Sequence, residues 1–149
     1  MQKKKSRKNL LELLELNKPI GIGSLILSED DIMEFAKAND PLEFHLNKKA
    51  AKESIFKGLV ASGPQVFMTL HKTGWIPVFG HTVICGLEVN NWKFLLPVYA
   101  GQPVKGTATP TFIKINKEKK QAVVVWTYEF TNERAEVVQT LETVLLHKL

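Results

Sequence analysis

The stretch SGPQVFMTLHKTG, Ser62 to Gly74, decides the fold. Ser62 is a good N-cap, Pro64 falls in the first turn where its missing N–H is harmless, and Gln65 stands at the third helical position. Val66, Phe67, Leu70 and His71 recur at helical spacing, and Gly74 predicts the C-terminus. The segment is mostly apolar and has no Asp or Glu. A helix of that kind has no solvent face to offer, so it must be deeply buried.

What surrounds it follows in the sequence. From Thr82 onward the pattern changes to strands, in TVICGLEVNNWKFLL, QPVKGTATPTFIKIN, QAVVVWTYEFTN and EVVQTLETVLLHKL. NKEKK and TNERAE are polar turns between them. Val124, Trp126, Tyr128 and Phe130 alternate with smaller or polar residues, which separates one face of a strand from the other. One buried helix followed by a meander of long strands predicts an α+β domain in which an antiparallel sheet wraps the helix. Upstream, Leu10 to Leu16 reads as a short helix ended near Pro19, and IGIGSLILS as a strand. SEDD at Ser28–Asp31 starts a helix with an approximate capping box, and Pro41 stops it. Asn47 caps another short helix.

The chain has 149 residues, 44% of them hydrophobic and 23% charged, which suits one soluble domain able to build a core without disulfide or metal. We place that domain at residues 19–149, after a basic, mobile tail and short helix at 1–18. Five of the 20 basic residues, Lys3, Lys4, Lys5, Arg7 and Lys8, lie in the first nine positions, and the remainder balance the 15 acids. The net charge of +5 therefore belongs to the tail and does not mark a nucleic-acid surface. LLELLEL carries Glu12 and Glu15, unlike a signal peptide, and no window of 18 residues is apolar enough to span a membrane. Cys85 stands alone in an apolar run, which predicts a small core residue and a reducing, cytoplasmic setting. His45, His71, His81 and His147 show no short ligand spacing, so no metal site is expected.

The chemistry sits just upstream of the helix. Asp40 and His45 lie five residues apart, a carboxylate and an imidazole suited to moving a proton. Gly63 follows eighteen residues after His45. This spacing, with FKGLVASG before the helix and WKFLLPVYAGQPV after it, resembles the MaoC-like hydratases/dehydratases of the hotdog fold, including (R)-specific enoyl-CoA hydratases. The likeness runs from about Ile20 to the C-terminus. It departs from the family pattern at Leu42 and Glu43, where Asn-Pro or a second proline is usual, and at Pro64.

The resemblance implies a role for each matched residue. Asp40 and His45 would grip one water and share the proton transfers, and the Gly63 N–H, at a helix N-terminus, would hold the thioester oxygen. Ser62, Pro64 and His71 are candidate substrate contacts, with Asp40 as the other possible partner of Ser62, although capping for Ser62 and core packing for His71 are the plainer readings. The implied reaction is reversible hydration of a 2-enoyl thioester to the (R)-3-hydroxyacyl thioester. No cofactor is implied beyond coenzyme A or phosphopantetheine as the carrier. A homodimer is implied as well. Two other readings stand beside it. A hotdog thioesterase commonly uses a carboxylate on the central helix or a loop Asp; Ser62–Gly74 supplies no such helix carboxylate. A non-catalytic acyl-thioester-binding module is the other, motivated by Leu42 and Glu43.

Overall fold

The computed structural model describes residues 7–149. Lys3, Lys4 and Lys5, and with them most of the expected basic tail, lie outside the described residues. From Arg7 onward the chain is docked. Asn9 and Glu12 close a reciprocal capping box on α1 (Leu10–Leu13), and Leu10 is fully buried in the common core. The His81 Nε2 donates to the Lys8 carbonyl at 3.0 Å.

Strand β1 (Ile20–Leu25) leads into α2 (Glu29–Asn39). The Ser28 hydroxyl accepts from the Asp31 N–H at 3.0 Å, and the Asp31 carboxylate accepts from the Ser28 N–H at 2.8 Å. The shorter Asp side chain thus closes the box as a Glu would. Helix α2 ends at Asn39 ahead of Pro41, as the proline requires. Two short helices follow, α3 (Glu43–Leu46) and α4 (Lys48–Glu53), the second capped by the Asn47 side chain.

The central helix begins at Gly63 and does not stop at Gly74. Helix α5 (Gly63–Leu70) continues through a π-turn (His71–Trp75) into α6 (Ile76–Phe79) and a 3-10 turn (Gly80–Thr82). The wide turn comes just before Pro77, which cannot donate to the helix ladder. Gly74 has a different task from the one its spacing suggests. A Cβ at this position would lie 1.8 Å from the Ile22 carbonyl oxygen, so its bare backbone lets the helix rest directly on β1.

Strands β2 (Val83–Phe94), β3 (Val104–Asn116), β4 (Gln121–Thr131) and β5 (Val137–Lys148) complete one antiparallel sheet in the order β1-β3-β4-β5-β2. The sheet curls around the central helix. Val124, Trp126, Tyr128 and Phe130 on the middle strand are all fully buried against it. Trp126 meets Trp75 edge-on at 5.2 Å, and Tyr128 meets Phe67 likewise at 5.1 Å. Each such pair adds about 0.5–1.5 kcal/mol beyond the area buried. His147 on β5 joins this core as a neutral ring. Its Nδ1 donates to Thr82 Oγ1 at 2.8 Å, Thr82 donates onward to the Phe79 carbonyl, and its Nε2 accepts from the Trp126 indole at 3.1 Å. Among the described residues no helix is long and apolar enough to cross a membrane.

Cys85 departs from expectation. It is exposed, not a core residue. The reason is topological: β2 is an edge strand, paired only with β5, and its apolar run includes the exposed Ile84, Leu87 and Val89.

Candidate active site

Two helix ends and one strand-like loop converge on the site. Asp40 is the C-cap of α2, its N–H still bonded to the Ala36 carbonyl. Pro41 breaks the helix, and α3 restarts the chain at Glu43, turning His45 back toward Asp40. The His45 N–H donates to the Leu42 carbonyl at 2.9 Å. Leu42 and Glu43, the departures from the family pattern, are both exposed. They contribute backbone to the turn that carries His45.

His45 is buried, with its side chain only 7% exposed. Its Nδ1 lies 2.6 Å from the Val60 carbonyl oxygen. A carbonyl only accepts, so Nδ1 carries a hydrogen, and in the neutral ring the lone pair is then on Nε2. That lone pair faces Asp40 Oδ2 at 3.4 Å, too far for a good direct hydrogen bond. The loop that supplies the carbonyl is itself anchored: Val60 bridges Tyr99, and the Ala61 N–H donates to the Val98 carbonyl at 2.8 Å. Asp40 keeps about a third of its side chain open, at 32%. Its Oδ2 accepts from Ser62 Oγ at 2.7 Å.

The helix mouth is arranged for the site and not for its own capping. Ser62 occupies the N-cap position but makes no side-chain cap, because its hydroxyl is given to Asp40. Gln65 does not close a capping box either; its Nε2 donates to the Asp31 carbonyl at 2.9 Å and ties the helix to α2. The Gly63 N–H has no partner among the described residues. A free amide at the N-terminus of a helix favours an anionic oxygen.

Asp40, His45, Gly63 and Pro64 all line one cavity of about 380 Å³. Its walls are apolar, chiefly Phe44, Phe56, Val66, Phe94 and Val98. The Phe94 ring lies directly on Gly63: a Cβ there would come within 2.2 Å of Cε1. Glycine at this position thus keeps both the ring and the backbone approach in place. Ser62 is fully buried behind Asp40, and it supports the carboxylate without lining the cavity. His71 lies away from this space. It stacks on Trp75 at 4.8 Å, its Nδ1 is 3.4 Å from the Tyr128 hydroxyl, and burial pushes its pKa down. Burial likewise pushes the Tyr128 hydroxyl pKa up.

Several contributors to the site were not nominated from sequence. The Val60 carbonyl, which sets the tautomer, is a backbone atom and carries no residue signature. Phe94 and Gln139 come from β2 and β5, more than thirty residues beyond Gly63, and reach the cavity only through strand pairing.

An antiparallel sheet curled around one long helix is the hotdog fold. Residues 14–133 match the MaoC like domain, and the chain belongs to that MaoC-like dehydratase family. The MaoC-like dehydratase from Rhodospirillum rubrum superposes with a TM-score of 0.81 at 26% identity, covering 95% of this chain and 97% of that one. The R-hydratase PhaJ1 from Pseudomonas aeruginosa shares the fold, with a TM-score of 0.69 at 20% identity over 91% of this chain and 83% of that one. The uncharacterized protein YdeM of Bacillus subtilis (strain 168) is 40% identical over 78 residues. That match takes in 51% of this chain and 55% of the relative, so the chain spans about half the length of the curated relative it matches.

Proposed function

We propose that this protein catalyses the reversible hydration of a 2-enoyl thioester, giving the (R)-3-hydroxyacyl thioester. The observation that carries the reading is the 2.6 Å approach of His45 Nδ1 to the Val60 carbonyl. With Nδ1–H committed to the Val60 carbonyl, Nε2 is held as a base opposite Asp40, and the two cannot bond directly across their facing lone pairs. A water between them donates one hydrogen to each and turns its oxygen toward the cavity. As that oxygen attacks C3, Nε2 takes a proton, and the pair returns a proton to C2. Water has then added across the double bond, and both groups end as they began. The Gly63 N–H supports the reading from the other side, as a donor for the enolate-like thioester oxygen. The acyl group arrives on coenzyme A or on a phosphopantetheine carrier, and the apolar walls suit its chain.

The site is proposed to work in a homodimer. Strand β2 leaves a twelve-residue edge open, with Leu87 half exposed and Val89 56% exposed. An apolar edge of that length invites a second copy of itself.

The test is the loss of enoyl absorbance when protein is added to crotonyl-CoA. Asp40→Asn and His45→Ala should each lower the rate by about 10²–10⁴-fold with the fold intact. Release of free thiol in place of hydration would indicate a thioesterase. Neither reaction with short or long acyl chains would leave a binding module.

A further inference from the structure

The mouth of the central helix offers fewer donors than its position suggests. Pro64 has no N–H, and the Gln65 N–H already donates to the Ser62 carbonyl at 3.0 Å. Gly63 supplies a single amide. Sites that stabilise a developing oxyanion combine preorganised donors, from backbone amides and carboxamide side chains alike.

A second donor lies on the wall of the same cavity. Gln139 of β5 is 2% exposed, and its Nε2 has no partner among the described residues. An unmet buried donor destabilises the fold, a penalty that leucine or methionine in the same space would avoid. Gln139 is aligned with Phe94 across β5 and β2. Residues opposed in this way carry their side chains on one face of the sheet. Since the Phe94 ring rests on Gly63, the register brings Gln139 to the Gly63 side of the cavity. Asp40 and His45 line the same cavity from the helices.

We propose that the Gln139 carboxamide is a catalytic residue, the second donor to the thioester oxygen beside the Gly63 N–H. The inference rests on the hydratase reading above. It assigns the carbonyl to a clamp formed by one helix end and one sheet strand, which aims C2 and C3 at His45 and Asp40.

Gln139→Met and Gln139→Leu test it. Charge on the oxygen grows in the transition state, so kcat for crotonyl-CoA should fall about 10²–10³-fold with KM little changed. The thermal midpoint should hold or rise, because an unmet donor has been removed. An unchanged kcat overturns the proposal, and so does a midpoint that falls together with activity in both variants. A second readout needs no turnover: the infrared carbonyl stretch of ¹³C-labelled butyryl-CoA bound to wild type and to Gln139→Met. Two donors should pull the wild-type band below that of the variant; coincident bands overturn the proposal. That comparison stays decisive if wild type fails to hydrate crotonyl-CoA, an outcome that would sink the hydratase reading alone. Should neither variant fold, Gln139→Asn, which withdraws the amide by one methylene, takes the place of Met in both measurements.

Discussion

Ser62 gives its hydroxyl to Asp40, at 2.7 Å, and leaves its own helix uncapped. A side-chain cap ordinarily contributes about 1 kcal/mol. Its sacrifice here holds one carboxylate oxygen still and keeps the first amide of the helix free. Ser62→Ala should therefore lower kcat about 10²-fold through misplacement of Asp40. Stability should change by less than about 1 kcal/mol, because no cap is lost and the partly open carboxylate can take up water. Steady-state kinetics alongside urea denaturation would check both halves; a large stability loss with kcat intact would contradict this role.

Gly74 is expected to be among the least replaceable residues in the chain. A methyl group there meets the Ile22 carbonyl at 1.8 Å, and both partners are backbone. Gly74→Ala should destabilise the fold by at least about 3 kcal/mol, toward and beyond the upper end of overpacking effects. Chemical denaturation of the variant measures it. A loss under 1 kcal/mol would mean that helix and β1 can separate easily.

Acid should weaken the fold through His147. Burial pushes its pKa down to about 4, against an ordinary value of 6.5. Above pH 6.5 the ring is neutral in both states and contributes no pH dependence. Between 6.5 and 4 the unfolded chain binds the proton and the folded chain does not, so stability falls with falling pH, by no more than roughly 3.5 kcal/mol in all. His71 shifts in the same direction. Urea midpoints at pH 7.5 and pH 5 would show the slope, and His147→Gln should flatten it. An equal slope in that variant would assign the effect elsewhere.

The open edge of β2 should pair with a second copy. Leu87→Lys places a charge in the middle of that edge, where it faces no strand of its own chain. Wild type should elute from gel filtration at the dimer size at micromolar concentration and the variant at the monomer size. A monomeric wild type would end the proposal.

The elements of this fold were largely legible because their signals are local. The buried helix, the Ser28 and Asn47 caps, the stop before Pro41 and the alternation from Val124 to Phe130 each depend on residues within a turn or a strand of one another. Gly74 and Cys85, two of the misread positions, had local signals that tertiary contacts overrode. Gly74 looked like a helix end because a flexible residue usually marks one, but here its missing side chain serves the contact with β1. Cys85 looked like core because its neighbours are apolar, yet strand order placed β2 at an edge.

The candidate site divides in the same way. Asp40, His45 and Gly63 could be named from the chain because one short helix and one loop carry them to a common cavity. The sequence alone determined that Asp40, His45 and Gly63 were the candidates for one site and that a sheet would enclose a helix beside them. Which imidazole nitrogen is free, what Ser62 bonds to and which strand residues wall the cavity were decided only in three dimensions. Those properties depend on a carbonyl fifteen residues away, on the meeting of two helix ends, and on strand register. All are contacts between segments distant in the chain, which local propensity does not encode.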